Sequence, residues 1–241
     1  MRVSAAVFSA SMVALAIVGV GCDNNNSSSP SGSSFYGMYT DQSGARGTIT
    51  LTGVAPATSS LLLGSTASVP VTGTLALAGQ LPIDLTGLYF TDTGALSFAS
   101  NDDAYTFTGQ VTGASASGTS TGPNGPGSFA LITGGTVANV AVFCGDAVCT
   151  APEGCTATAT FNLAISGSTA ALTVLANGVV VPVGGTRTGD VVSFHVTDKG
   201  TDVTITGVIN GSNIGGTWAD NVNGTSGTWN GNSAQCSTPS R

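Results

Sequence analysis

Two stretches of this sequence share one pattern: TFTGQVTGASASGT at Thr106–Thr119 and TITGVINGSNIGGT at Thr204–Thr217. In both stretches apolar and polar residues alternate with a period of two, which is typical of half-buried antiparallel strands. The match extends into the next strand, where GSF at Gly127–Phe129 corresponds to GTW at Gly227–Trp229. The chain therefore contains an internal repeat, and we predict an all-β protein built from two related halves.

The predicted halves span residues 35–133 and 156–236, and each consists of short strands separated by Gly, Asn, Asp or Ser turns. Turns at intervals of about 8–12 residues favour an antiparallel meander barrel, either one or two of them, or a sandwich. Gly109 and Gly207 occupy the apolar strand face in mid-strand. Because glycine weakens a strand there, it indicates a sharp bend or the close approach of another group, as at a barrel corner.

The composition excludes several classes of function. Only 7% of the 241 residues are charged, against about 25% in an average protein. The formal net charge is −7, and the chain has five Lys and Arg residues. Five cannot form a basic patch, so we expect no nucleic-acid partner. The sequence has no phosphate loop and no dinucleotide fingerprint, and we expect no cofactor.

The amino terminus has the composition of a signal peptide. Residues 1–21 begin with a positive charge at Arg2 and continue as an uncharged run of apolar and small residues. This run predicts an N-terminal signal helix. Residues 22–34 begin with Cys22 and Asp23 and continue with Asn, Ser, Pro and Gly. This segment has no large apolar side chain to bury, so nothing offsets its ordering entropy, and we predict a disordered tether.

The junction between these two segments resembles the lipobox of bacterial lipoproteins, since the small residue Gly21 immediately precedes Cys22. The resemblance implies that Cys22 is acylated, that the lipid bilayer is a partner, and that the protein is held in the bacterial cell envelope. The alternative is ordinary signal-peptide cleavage, which residues 19–21 also fit. A flexible tether suits an anchored protein, because it holds the folded part away from the bilayer.

The remaining cysteines form an even set that suits two disulfides in an oxidising compartment. A zinc site is disfavoured because the set has no CxxC pair and no nearby histidine, and we expect no metal. We predict that Cys155–Cys236 joins the first and last strands of a self-closed second half, and that Cys144–Cys149 forms a local ring. If the halves share one sheet, Cys236 reaches Cys144 or Cys149 instead. Three of these cysteines lie in residues 134–155, which we interpret as a linker between the halves.

Two further stretches resemble the G-x-W openings of the calycin barrels, the lipocalin and avidin group. They are FYGMYTD at Phe35–Asp41 and IGGTWADNVNGTSGTWNG at Ile214–Gly231. The resemblance implies a meander barrel with an interior cup. It implies no particular ligand, because no ligand-binding residue set matches position by position.

Few residues offer chemistry. His195 is the only histidine, and in VVSFHVTD it shares a strand face with Ser193 and Thr197, so we predict that it is exposed. Its alternative role is that of a general base in a hydrolase, although the sequence has no G-x-S-x-G elbow. Trp218 and Trp229 lie on neighbouring predicted strands and are expected in the core. If exposed, they would form a candidate platform for an apolar ligand or a surface glycan.

These features favour a membrane-anchored extracytoplasmic lipoprotein whose β domain has a non-enzymatic binding or structural role. The alternative function is hydrolysis of an envelope polymer or an ester, with His195 and an aspartate as the acid and base. An interior cavity lined by apolar residues would indicate a carrier, and a packed interior would indicate an adhesive or structural role.

Lipidation predicts that Cys22→Ala releases the protein from membranes or blocks its maturation, because stable anchoring requires several acyl chains on this residue. Membrane fractionation of cells that produce each form, with metabolic labelling by a fatty-acid analogue, measures this. A wild-type protein that takes up no label would contradict the prediction.

Overall fold

The structure is a computed structural model, and it describes residues 34–53, 68–136, 138–198 and 200–237. The predicted signal peptide over 1–21, the acylated Cys22 and the tether up to residue 33 lie outside the described residues. The sixteen strands described in this part of the chain form two closed antiparallel barrels of eight strands each. The predicted all-β fold of two related halves is therefore confirmed, and each half is a barrel.

Barrel 1 is a simple meander. Each of its strands pairs with the next one along the chain, and the last strand pairs with the first to close the barrel. Its strands are β1 (Ser34–Asp41), β2 (Arg46–Gly53), β3 (Ser68–Leu77), β4 (Ile83–Phe90), β5 (Ala95–Ser100), β6 (Thr106–Thr112), β7 (Ser115–Gly122) and β8 (Gly125–Thr133).

Barrel 2 has the same topology, and a short 3-10 helix at Ser233–Ser237 follows it. Its first strand closes the barrel by pairing with both the second and the last strand. Its strands are β9 (Ala141–Ala151), β10 (Thr158–Ser166), β11 (Thr169–Ala176), β12 (Val179–Thr188), β13 (Val191–Asp198), β14 (Thr201–Asn210), β15 (Asn213–Asp220) and β16 (Thr225–Asn232).

Our interpretation of residues 134–155 as a linker was wrong, because this segment contains strand β9. The sequence does not show the usual strand pattern here, because both faces of β9 are buried around Phe143 and Cys144. Phe143 points into barrel 2, whereas its neighbour Cys144 is buried against barrel 1. A strand buried on both faces loses the apolar and polar alternation by which strands are recognised.

Aromatic side chains fill the interiors of both barrels, while threonine side chains dominate the outer faces. In barrel 1, the Phe98 and Phe107 rings stack with centroids 4.5 Å apart, and both contact Phe129 edge-on. In barrel 2, Phe161 and Trp229 meet edge-on at 5.1 Å. The interior cup that the calycin resemblance implies is thus occupied by side chains of the protein itself.

The repeated glycines make room for these rings. A Cβ atom added at Gly207 would overlap the indole ring of Trp229, and one added at Gly109 would overlap the ring of Phe129. The paired position on the next strand is also glycine in both barrels, since Gly109 pairs with Gly118 and Gly207 with Gly216. The predicted close approach is confirmed, and the internal repeat places equivalent contacts in the two barrels.

The two barrels pack side by side through a shared apolar cluster. Tyr36 and Met38 point outward from β1 and meet Ala164 and Ala171 on β10 and β11. Strand β1 is therefore buried on both faces, which explains why all of its residues after Ser34 are inaccessible. Small alanines on one side and large side chains on the other allow the sheets to approach closely.

Two disulfides form from the four predicted cysteines, but their pairing differs from our prediction. The structure joins Cys144 to Cys236 and Cys149 to Cys155. Strand β9 lies between β16 and β10, and its Cys144 pairs in register with Asn232 at the end of β16. The following helix therefore emerges beside β9 and not beside β10. The second half is self-closed as expected, with one more strand than the sequence indicated.

The ring contact at Gly207 predicts a selective loss of stability. Gly207→Ala should lower the free energy of unfolding by about 1–3 kcal/mol, because the added methyl group displaces the Trp229 ring. The matched control is Gly184→Ala on β12, where a Cβ atom meets open space. That substitution should be neutral or stabilising by a few tenths of a kcal/mol.

Urea unfolding followed by tryptophan fluorescence measures both effects, because both tryptophans of the chain lie in barrel 2. Equal unfolding midpoints for the two variants would contradict the packing argument.

Candidate functional site

Polar side chains gather at one end of barrel 2, where the β13–β14 and β15–β16 turns lie side by side. The Nε2 atom of His195 lies 2.6 Å from Oδ1 of Asp202. The side-chain amide of Asn221 donates a hydrogen bond to the other oxygen of the same carboxylate at 3.4 Å. We call His195, Asp202 and Asn221 the His–Asp cluster.

The buried carboxylate of Asp220 holds the main chain of this cluster in place. Asp220 ends β15 and is 2% exposed, and its Oδ1 accepts hydrogen bonds from the main-chain N–H groups of Asp202 and Val222. The side-chain amide of Asn223 donates to its Oδ2 at 2.6 Å. Asp220 therefore ties the two turns together and fixes the backbone on which Asp202 stands.

Barrel 1 also has a buried aspartate that accepts several hydrogen bonds, but it lies at the end of its first strand. Asp41 at the end of β1 is fully buried, and its carboxylate accepts hydrogen bonds from the N–H groups of Ser43 and Ala45 and from the amide of Asn124. The Tyr39 hydroxyl lies 3.4 Å from the same carboxylate. In each barrel, one end is thus organised by a buried aspartate that accepts several hydrogen bonds.

Electrostatics favour the ionised form of both aspartates in the site. The hydrogen bond to His195, followed by that from Asn221, holds the pKa of Asp202 below its usual value. Burial acts to raise the pKa of Asp220, but the hydrogen bonds from Asn223 and the main-chain donors outweigh it, and the pKa of this carboxyl is lowered. Hydrogen bonding to a carboxylate stabilises its charge in both cases.

The His–Asp cluster differs in geometry from a catalytic triad. In a catalytic triad the carboxylate binds one ring nitrogen and the nucleophile faces the other. Here Thr197 Oγ1 approaches to 3.5 Å, but it does so at Nε2, the nitrogen that Asp202 already contacts. The side chains of His195 and Asp202 are 63% and 36% exposed. An exposed pair of this kind is screened by water and has little effect on stability.

Neither tryptophan forms the exposed platform that was the alternative to a core position. Trp229 is 4% exposed and its indole N–H donates to the carbonyl of Thr206 at 3.0 Å. Trp218 is half-buried, packs against the core of barrel 2, and donates to the carbonyl of Val148 at 3.3 Å. Both rings lie inside the barrel because they occupy strand positions that point inward.

Sequence reasoning found His195 but missed its partner. The partner is Asp202, which lies on β14 opposite Thr197 and diagonal to His195. A two-residue turn between Asp198 and Thr201 sets the pairing of β13 with β14. Recognition of this turn in the sequence would have placed His195 and Asp202 on the same face as diagonal neighbours.

Two open clefts lie on the outer wall of barrel 2. One has a volume of about 390 Å³ and lies along β12, β13 and β14, lined by Gly184, Ser193 and His195 among others. The other has a volume of about 340 Å³ and is lined by residues that include Asp146, Thr160 and Leu175. The first cleft borders the His–Asp cluster, so the candidate functional site comprises this cleft and the cluster.

Within the described ranges, no group of three or more His, Cys, Asp or Glu side chains is arranged to hold a metal ion. In the same part of the chain, no helix is long and apolar enough to cross a membrane. No protein-family model matches the sequence, and no curated protein shows significant similarity to it.

The lowered pKa of Asp220 predicts a pH-dependent contribution to stability. A depressed pKa in the folded state contributes stability that is fully present above the unfolded value of about 3.9 and is lost as the pH falls through the lower folded value. At pH 7, Asp220→Asn should reduce the free energy of unfolding by about 1–3 kcal/mol, because the amide replaces an oxygen that accepts hydrogen bonds.

The measurement is the urea midpoint between pH 7 and pH 2.5, with Asp84→Asn on an exposed position of barrel 1 as the control. The difference between Asp220→Asn and wild type should shrink towards the acid end of this range. A difference that stays constant with pH would show that the charge of Asp220 plays no part.

Proposed function

We propose that this protein is a lipid-anchored extracytoplasmic module with a non-enzymatic role in binding or in structure, and that it acts through the outer surface of its barrels. The observation that carries the proposal is the packing of the interiors. Phenylalanine, tyrosine and tryptophan side chains occupy the centre of both barrels. A barrel that serves as a carrier needs an interior large enough for its ligand.

The location of the protein is part of the proposal. The lipobox-like junction at Cys22 and the two disulfides support a lipoprotein of the bacterial cell envelope, because disulfides persist in oxidising compartments. The calycin resemblance supports the meander barrel. It does not support an interior ligand-binding cup, because aromatic side chains occupy the interior of both barrels.

The outer faces support contact with a polar partner. Threonine and serine hydroxyls are arranged across neighbouring strands of barrel 1, as in the pair Thr108 and Thr119, whose hydroxyls lie 3.5 Å apart. Such faces suit a hydroxyl-rich partner, such as a surface glycan, better than an apolar ligand.

The second candidate function is an esterase or glycan hydrolase, and the 2.6 Å contact between His195 and Asp202 favours it. Against it stands the position of Thr197, whose hydroxyl lies 3.5 Å from Nε2 of His195, the nitrogen already in contact with Asp202.

The two functions are separated by incubating the purified protein with a panel of chromogenic esters and envelope glycans. We expect the wild type and the His195→Ala variant to release no product above buffer. An activity of the wild type that is lost in both His195→Ala and Asp202→Ala would overturn the proposal and establish the hydrolase.

A further inference from the structure

The wall of barrel 2 is incomplete between β12 and β13. These strands pair at only four positions, and the last pair is Gly185 with Phe194. Beyond this pair, β12 continues back to Val179 with a partner on its other side only, and β13 continues to Asp198 in the same way. We call this open stretch of the wall, from Val179 to Gly184 on β12 and from His195 to Asp198 on β13, the seam.

Barrel 1 shows what a closed seam looks like. Its equivalent glycine and phenylalanine, Gly87 and Phe98, are also paired, and two further pairs follow between β4 and β5. The N–H group of Asn101 then donates to the carbonyl of Asp84 at 3.3 Å. The equivalent positions in barrel 2 are Thr197 and Pro182, and they are not paired. The seam is therefore a specific departure from the architecture that the two barrels share.

The main chain of β13 is left without a partner strand along the seam. The residues that exchange main-chain hydrogen bonds with β14 alternate with those that face β12. Since the N–H of Ile209 donates to the carbonyl of Asp190 at 2.9 Å, the alternation directs the N–H and C=O groups of His195 and Thr197 into the seam. An unpaired strand edge of this kind is a template for another extended chain.

The edge of β12 that faces the seam has residues suited to an unpaired strand edge. Pro182 occupies a β12 position whose main chain faces β13, and proline has no N–H group to leave unpaired. The neighbouring Gly184 has no side chain, and a Cβ atom placed there would meet open space. The cleft of about 390 Å³ reaches Gly184 and His195, where the seam begins, so the edge of β13 is accessible from outside at this end of the seam.

The seam also exposes apolar side chains that belong to the interior. Val181 shares a strand face with the buried Val183, yet it is 38% exposed. Across the seam, Val196 packs against the core and is only partly buried. An extended chain lying in the seam would cover both valines with every second side chain and present the others to solvent beside His195.

We propose that the seam between β12 and β13 docks an extended peptide segment of a partner protein, which pairs with the main chain of His195 and Thr197. The segment alternates apolar residues, which cover Val181 and Val196, with polar residues on the outer face. A basic residue on the outer face is favoured, because Asp202 borders the seam and the protein carries a formal net charge of −7. This inference rests on the proposed binding role and adds a peptide partner at the seam to the hydroxyl-rich partner proposed for the threonine faces of barrel 1. Strand addition of this type takes its affinity from main-chain hydrogen bonds and its specificity from alternate side chains.

The test is selection of a phage-displayed library of random octapeptides on the folded full chain, followed by anisotropy titrations with the selected peptides. We expect alternating apolar and polar sequences. Gly184→Trp should weaken their binding about tenfold or more, since the indole fills the cleft and blocks the edge. The matched control is Thr228→Trp, at an exposed position on β16, which should bind as the wild type does.

Two further measurements make the test specific for main-chain pairing. Two sets of peptides should be compared, one N-methylated at odd-numbered and one at even-numbered residues. One set should lose binding and the other should keep it, because only every second N–H group of the peptide faces β13. Bound peptide should slow hydrogen exchange at the amides of His195 and Thr197. If Gly184→Trp fails to fold, as judged by far-ultraviolet circular dichroism, Gly184→Arg fills the same space and replaces it.

The proposal is overturned if no selected peptide distinguishes the wild type from the blocked variant, if both N-methylated sets keep their binding, or if the amides of His195 and Thr197 gain no protection. These outcomes leave the non-enzymatic role intact, because that role is tested by the hydrolysis panel and not by peptide binding. Hydrolytic activity would in turn refute the non-enzymatic role whatever the peptides do.

Discussion

The contact between an aromatic ring and a mid-strand glycine is the constraint on which both barrels depend. Trp229 lies over Gly207 and Phe129 lies over Gly109, and neither position has room for a methyl group. A barrel of eight strands has an interior just wide enough to be filled by side chains. Each of these rings lies across the two strands next to its own, and it can do so only because the facing positions on those strands are glycines. Glycine provides that space, and aromatic rings occupy the interior of both barrels, which is why we propose that the protein acts through its outer surface.

The side-by-side packing of the barrels uses the outer faces of strands whose inner faces already belong to a core. Strand β1 contributes to the interior of barrel 1 with Phe35 and Tyr39 and to the interface with Tyr36 and Met38. The disulfide from Cys144 to Cys236 lies at this interface, where Cys144 is fully buried. The link spans 92 residues, and by the chain-entropy argument closing a loop of that length stabilises the folded state by about 4.6 kcal/mol.

The repeat provides an internal comparison that separates scaffold from site. Features that both barrels share, such as the ring over glycine, are what the fold requires. Features found in barrel 2 alone are the open seam and the His–Asp cluster, and they lie next to each other. Barrel 1 closes its wall at the corresponding place with Asp84 and Asn101. The barrel architecture does not require this difference between its two copies, and such departures from a shared scaffold are typical of functional sites.

The sequence by itself determined the fold class, the two related halves and the inward position of Trp229, because a period of two fixes which side chains share a face within one strand. It also gave the four cysteines that form disulfides and the exposure of His195. Only the tertiary structure decided that β9 lies within the predicted linker, that Cys144 rather than Cys155 bonds to Cys236, and that Asp202 is the partner of His195. The open seam between β12 and β13 is likewise visible only in the tertiary structure. These features depend on which strands become neighbours when a barrel closes and on which outer face the second barrel covers, and such long-range pairings leave no periodic pattern in the local sequence.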